Sequence, residues 1–162
     1  MGRGATIAAG NVWYKARKNA ALGNDKLSSK EGAAELMNVS VDVVDMAERN
    51  RYKKMPPEVA LSMADVYGAP ELRNHYCLNW CPIGIYRSIS DERIDIQTAT
   101  LQLTKLLRKK SIHRSVSRLQ DIAEDGKVSE DEVGDLDEVL AQLKETAKSI
   151  SRLEIIRESI RY

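Results

Sequence analysis

Between Ser28 and Arg49 the chain carries two short apolar stripes at helical spacing, Ala33/Ala34/Leu36/Met37 and Val44/Ala47, separated by only a few residues. That closeness limits the possible folds more than any other feature. Ser28 with Glu31 three residues on forms a capping box and predicts a helix start. Asn38 is a residue type that adopts the left-handed conformation at a helix end, and Ser40 is a suitable cap for the helix that follows. Two helices joined by so tight a corner cross steeply, and small residues such as Ala33 or Ala34 let their backbones meet. The rest of the composition agrees with helices. Aromatic residues make up 5% of the chain and Phe is absent, so the core is aliphatic, whereas strands draw on aromatic and β-branched side chains.

The same punctuation continues along the chain. Residues 1–10, small and Gly-containing, predict a flexible arm. A first helix fits Asn11 to Leu22, with Val12, Ala16 and Asn19/Ala20 on one face and Lys15, Arg17 and Lys18 around it, before Gly23-Asn24-Asp25 stops it. Arg49 to Lys54 is a basic loop. Pro56-Pro57 opens a fourth helix, through Val59, Ala60, Met63, Ala64 and Val66 to Gly68. Pro70 opens a fifth, to about Trp80, broken by Pro82-Ile83-Gly84. A linker at 85–89 precedes Ser90-Asp91-Glu92, a helix-start signature. From there Ile94, Leu103, Leu106, Leu107, Ile112, Val116, Leu119 and Ile122 keep helical spacing to about Glu124, and the basic run Arg108-Lys109-Lys110 is a point of possible division. Asp125-Gly126 makes a turn, and Ser129 with Glu132 is another capping box. A long last helix follows, with Val133, Leu136, Leu140, Leu143, Ala147 and Ile150 in a heptad-like 3,4,3,4,3 spacing. Either packing against Leu103–Ile122 of the same chain or pairing across a two-fold axis with a second copy would bury that stripe. The expected fold is all-α: a five-helix domain over 11–84, then a helical hairpin or dimerisation module over 90–162.

Composition narrows the function classes. The 162 residues are 43% hydrophobic and 30% charged, with a net charge of +1, which describes a globular chain without a global demand for a polyanionic partner. Lys plus Arg against Asp plus Glu is 12 to 9 over residues 1–87 and 13 to 15 over 88–162. Cys77 and Cys81 are too few for a disulfide framework. No apolar run approaches the roughly 20 residues of a membrane helix, and the N-terminal stretch is too weak for a signal peptide. The expectation is a cytoplasmic protein with reduced thiols. Asp121 to Glu132 overlays a twelve-residue calcium loop, but Ala123 stands where a ligand is needed, and helix punctuation accounts for the same residues. His75, Cys77 and Cys81 lack the second pair of a zinc site, and the cysteines are expected as small buried hydrophobes. No Ser/His/Asp grouping, phosphate-cradling Gly loop or paired-carboxylate motif occurs. No enzyme, cofactor or metal site is expected.

Two steeply crossed helices with a tight corner form the unit that lays one helix in the DNA major groove. The stretch Ser29-Lys30-Glu31-Gly32-Ala33-Ala34-Glu35-Leu36-Met37-Asn38-Val39-Ser40 resembles the core of Cro/C1-type helix-turn-helix regulators, the Xre family. Glu48-Arg49-Asn50 is similar to the family's close of the reading helix, and Pro56-Pro57 with Met63-Ala64-Asp65-Val66-Tyr67-Gly68 is similar to its later helices. The resemblance covers about seventy residues. Beyond it, Cys81-Pro82-Ile83-Gly84 and residues 121–126 look more loosely like regulators of prophages and conjugative elements of Gram-positive bacteria. The resemblance implies that Lys30, where Gln is usual, meets a phosphate or base, and that Ser40, Val41, Asp42, Val43 and Met46 face the groove. The chain departs from the family there, since Arg, Thr, Ser or Gln are its usual residues at those positions.

A helix with Val41, Asp42, Val43, Val44 and Asp45 at its head is an unusual reader of a polyanion. An Asp can accept from a cytosine amino group and a Val can touch a thymine methyl, but most affinity comes from cations on phosphates. Lys15, Lys18 and Lys30 on the leading helices, with Arg49, Arg51, Lys53 and Lys54 after the reading helix, are the candidates. The sequence therefore predicts sequence-specific binding of double-stranded DNA through helix 41–49 in transcriptional control, by a homodimer paired through its C-terminal helices. The competing expectation is a helix-turn-helix fold turned to protein–protein interaction, with DNA binding lost.

Overall fold

A computed structural model describes residues 10–160; the expected arm, apart from Gly10, lies outside the described residues. Every regular element among the described residues is helical. The chain divides into two compact units, the first running to Arg87 and taking in the chain's end from Glu158, the second spanning Ser88–Arg157.

The first unit holds five α-helices: α1 (Val12–Ala20), α2 (Lys30–Met37), α3 (Val41–Glu48), α4 (Pro57–Val66) and α5 (Glu71–Asn79), with 3-10 turns at Asp25–Ser28 and Gly84–Tyr86. Asn11 caps α1 by accepting from the Trp13 and Tyr14 N–H groups. Its amide also donates to the Ala47 carbonyl at 3.0 Å and to Asn50 Oδ1 at 2.8 Å, which ties the start of α1 to the end of α3. Asn38 ends α2 in the left-handed conformation, φ 52°. Three residues then suffice to turn the chain into α3.

Several local expectations need correction. Ser29, not Ser28, caps α2, accepting from the Gly32 N–H at 3.0 Å. Ser28 belongs to the 3-10 turn, and a Cβ on Gly32 would stand 2.0 Å from the Lys26 carbonyl oxygen of that turn. Glycine at 32 is what lets turn and helix touch. Ser40 precedes α3 but its hydroxyl makes no capping bond. On α1 Val12, Ala16 and Ala20 do pack on the core, but Trp13 and Arg17 are buried as well and Asn19 is exposed. Leu36 likewise lies on the outer side of α2. The core brings Trp13, Leu27, Val44, Met55, Met63 and Leu72 together with Ala33, Ala34, Ala47, Ala60 and Ala64. Leu27 and Met55 lie outside the α-helices, so helical periodicity had no means of finding them.

The second unit contains α6 (Ile96–Leu106), α7 (Lys109–Ile122) and, as far as Arg157, α8 (Val133–Ser159). The basic run at 108–110 falls at the break between α6 and α7. The predicted helix start at Ser90 is displaced: Asp95 caps α6, accepting from the Thr98 N–H at 2.8 Å and the Thr98 hydroxyl at 2.6 Å. Ser90 is instead buried, its N–H donating to Ser151 Oγ at 2.7 Å. Among the described residues the buried apolar side chains here are Ala99, Ile122, Val139 and Ile155, joined by Ser115, Thr146, Ser149 and Ser151. The heptad-like stripe is not the buried face of α8. Val133, Leu140, Leu143 and Ile150 remain 39–47% exposed, as the helix turns the neighbouring Val139/Thr146/Ser149 line inward. Leu136 and Ala147 of the stripe are half-buried, and α7 meets α8 through Ser115 and Gln142 at 2.7 Å, so packing within the chain covers the stripe only in part. No described helix is long and apolar enough to cross a membrane.

Candidate functional site

The exposed side of α3 is built by what the helix buries. Val44 and Ala47 enter the core, as their spacing predicts, and Glu48 follows them to full burial. Glu48 meets a buried guanidinium: Arg17 Nε donates to Oε1 at 2.5 Å and Nη2 to Oε2 at 3.1 Å. The remaining nitrogen of Arg17, Nη1, donates to the carbonyls of Leu27 and Ser28 at 2.9 and 3.0 Å. One ion pair therefore fastens α1, the 3-10 turn and α3. Planar bidentate pairing with further hydrogen bonds is the arrangement in which buried charges persist. Arg17, expected on the surface with Lys15 and Lys18, is thus withdrawn from any ligand.

With Val44, Ala47 and Glu48 inward, Val41 and Asp42 are turned to solvent, and Val43 and Met46 are half-buried. Asp45, between the two faces, is the organising residue. Its Oδ1 accepts from the Lys30 ammonium at the head of α2 and from Arg49 Nε at 2.9 Å, while Arg51 Nη1 approaches Oδ2 at 3.6 Å. The Lys30 hydrogen bond holds the Asp45 carboxyl below the ordinary aspartate range; partial burial opposes this, and the charges of Lys30, Arg49 and Arg51 add to it. Three cations meet one carboxylate, so this edge of α3 is positive although the sequence reads as acidic. Arg49 and Arg51 keep about half of their side-chain surface exposed, Lys30 a quarter.

The predicted site residues fall into groups. Lys30, Arg49 and Arg51 converge on Asp45; Val41 and Asp42 stand exposed on the same helix, and Ser40 is exposed just before it. Lys53 and Lys54 are exposed two and three residues beyond Arg51. Lys18 is engaged elsewhere, donating to the Ser28 carbonyl at 2.8 Å and lying over the Tyr14 ring; Lys15 is exposed. Asp45 was missed as a gatherer of charge. Its pairing with Arg49 is an i,i+4 contact that sequence spacing can supply, but Lys30 and Arg51 arrive through the fold.

The other motifs carry less. Cys77 and Cys81 are half-buried rather than buried, and the His75 ring meets Trp13 edge-on at 5.8 Å. In the calcium-like stretch, Glu132 accepts from the Ser129 N–H and hydroxyl at 2.8 and 2.7 Å, and Asp125 accepts from the Lys127 N–H at 3.0 Å. Among the described residues no group of three or more His, Cys, Asp or Glu is placed to hold a metal. No protein-family model, curated protein or solved structure matches the chain.

Proposed function

We propose that the first unit is a helix-turn-helix reader of double-stranded DNA, with α3 in the major groove, and that the protein is a transcriptional regulator of the Cro/C1 type without chemistry of its own. The gathering of Lys30, Arg49 and Arg51 around Asp45 carries this reading. It answers the objection that the head of α3 is acidic, because phosphates flanking the groove would meet cations held by Asp45. The short turn at Asn38–Ser40, the buried Val44/Ala47 face and the solvent-facing Val41/Asp42 face fit a helix held by its back and reading with its front. Lys53 and Lys54, exposed shortly after Arg51, are further cations available to phosphates in this reading. The exposed stripe of α8 supports a homodimer, whose two reading helices would address half-sites about 34 Å apart.

Measuring duplex affinity across a salt series for the native protein and for Lys30→Ala/Arg51→Ala tests the proposal. Each lost phosphate contact lowers the salt slope by about 1, so the double variant should bind more weakly and with a flatter dependence. Unchanged affinity and slope would remove those residues from the interface. A second reading, a protein-interaction module, is favoured by one observation, the apolar edge of Val41, Val43 and Met46 beside Asp42. It predicts no duplex retention by the native protein even at low salt.

A further inference from the structure

Resting on the DNA reading above, we infer that Asp42 sets the sequence preference of α3 by accepting from the amino group of a cytosine in the major groove. Both aspartates of the helix could in principle read bases, but the structure divides their work. The Asp45 carboxylate is taken up by Lys30, Arg49 and Arg51. Asp42 is exposed in the first turn of α3, the part of a reading helix that meets base edges.

An ionised carboxylate only accepts. In the major groove it is repelled by guanine O6 and N7 and by thymine O4. Adenine offers an amino group, but its N7 lies alongside and faces the second carboxylate oxygen. Cytosine presents the amino group without an acceptor of its own. The same charge works against DNA that lacks such a donor, because Asp42 would then be brought to a polyanion with nothing to accept from. Asp42 thus raises discrimination while lowering general affinity, an instance of specificity obtained by penalising wrong partners. Val41, 37% exposed beside it, can meet a thymine methyl, so a half-site should contain both pyrimidines.

The decisive experiment selects bound duplexes from a random pool at two salt concentrations with the full-length native protein, Asp42→Asn and Asp42→Ala. The native protein should enrich a cytosine at one fixed position, and replacing it should cost about ten-fold in affinity. Asp42→Asn should move that preference to adenine, whose N6 and N7 together suit an amide. Asp42→Ala should lose the preference and bind unrelated duplex more tightly than the native protein. A native protein that selects a motif which neither variant alters would overturn the role of Asp42 while leaving the DNA reading standing. A native protein that retains no duplex would overturn both. Thermal melts of the three proteins exclude a folding defect as the cause.

Discussion

Asp45 links charge to fold as well as to the proposed ligand. Its folded carboxyl lies below the ordinary aspartate range because Lys30 donates to it, with Arg49 and Arg51 adding their charges. A depressed carboxyl contributes stability above the unfolded pKa and loses it as pH falls through the folded one. The native protein should therefore lose part of the stability of its first unit as pH falls from the ordinary aspartate range through the lowered pKa of Asp45. Asp45→Asn should be the less stable protein at neutral pH and should show a shallower loss in acid. Chemical denaturation of both proteins at pH 7 and at successively lower pH checks this; parallel profiles would mean that the three cations contribute nothing to folding. Tyr67 is another residue whose setting is visible only in three dimensions. Its hydroxyl is buried without a hydrogen-bond partner among the described residues. Burial, then the nearby Glu48, raise its pKa, against an opposing effect of Arg17.

Among the elements, the buried Arg17–Glu48 pair fixes α3 to α1 and to the 3-10 turn. Removing one partner leaves an uncompensated buried charge, a loss of about 3–5 kcal/mol, whereas replacing both with apolar residues of similar volume is often neutral or stabilising. Glu48→Ala should thus largely unfold the first unit, and Arg17→Met/Glu48→Leu should recover most of the loss. Equal damage in the single and double variants, read from urea midpoints, would show that the bonds from Arg17 to the Leu27 and Ser28 carbonyls matter as much as its pairing with the Glu48 carboxylate. The pair also shows where reading the sequence stops. Helix positions, the αL turn at Asn38 and the inward Val44/Ala47 face followed from local chemistry. Charge alone points Arg17 outward, and the partner that draws it inward lies thirty-one positions away. The start of α6 was misplaced for a related reason. Ser90-Asp91-Glu92 has the right composition for a cap, but Ser90 is engaged by Ser151, sixty-one positions distant, and the capping passes to Asp95. For the candidate site, the cations were legible from composition, whereas their meeting point was not.

At the scale of the whole chain the two units differ in how much apolar surface they enclose. Among the described residues, fifteen buried apolar residues form the core of the first unit and four lie in the second. Full burial of a large aliphatic or aromatic side chain contributes about 1.5–3 kcal/mol, so the first core is much the stronger. The second unit leaves Val133, Leu140, Leu143 and Ile150 exposed along one line of α8, an apolar seam that a second copy would cover. Amide hydrogen exchange should accordingly be faster in α6–α8 than in α1–α4 at low protein concentration, and should slow in α8 as concentration rises. Protection of α8 that ignores concentration, with a monomer mass in sedimentation, would end the homodimer proposal.

Asp45 also has a thermodynamic consequence for any polyanion that docks on α3. Mobile salt ions condensed on nucleic acid gain entropy when protein cations displace them into bulk solution. Asp45 is a counter-ion fastened to the backbone and cannot diffuse away. Part of the attraction of Lys30, Arg49 and Arg51 is already satisfied before a ligand arrives, so fewer small ions should be liberated on docking than a count of the basic side chains suggests.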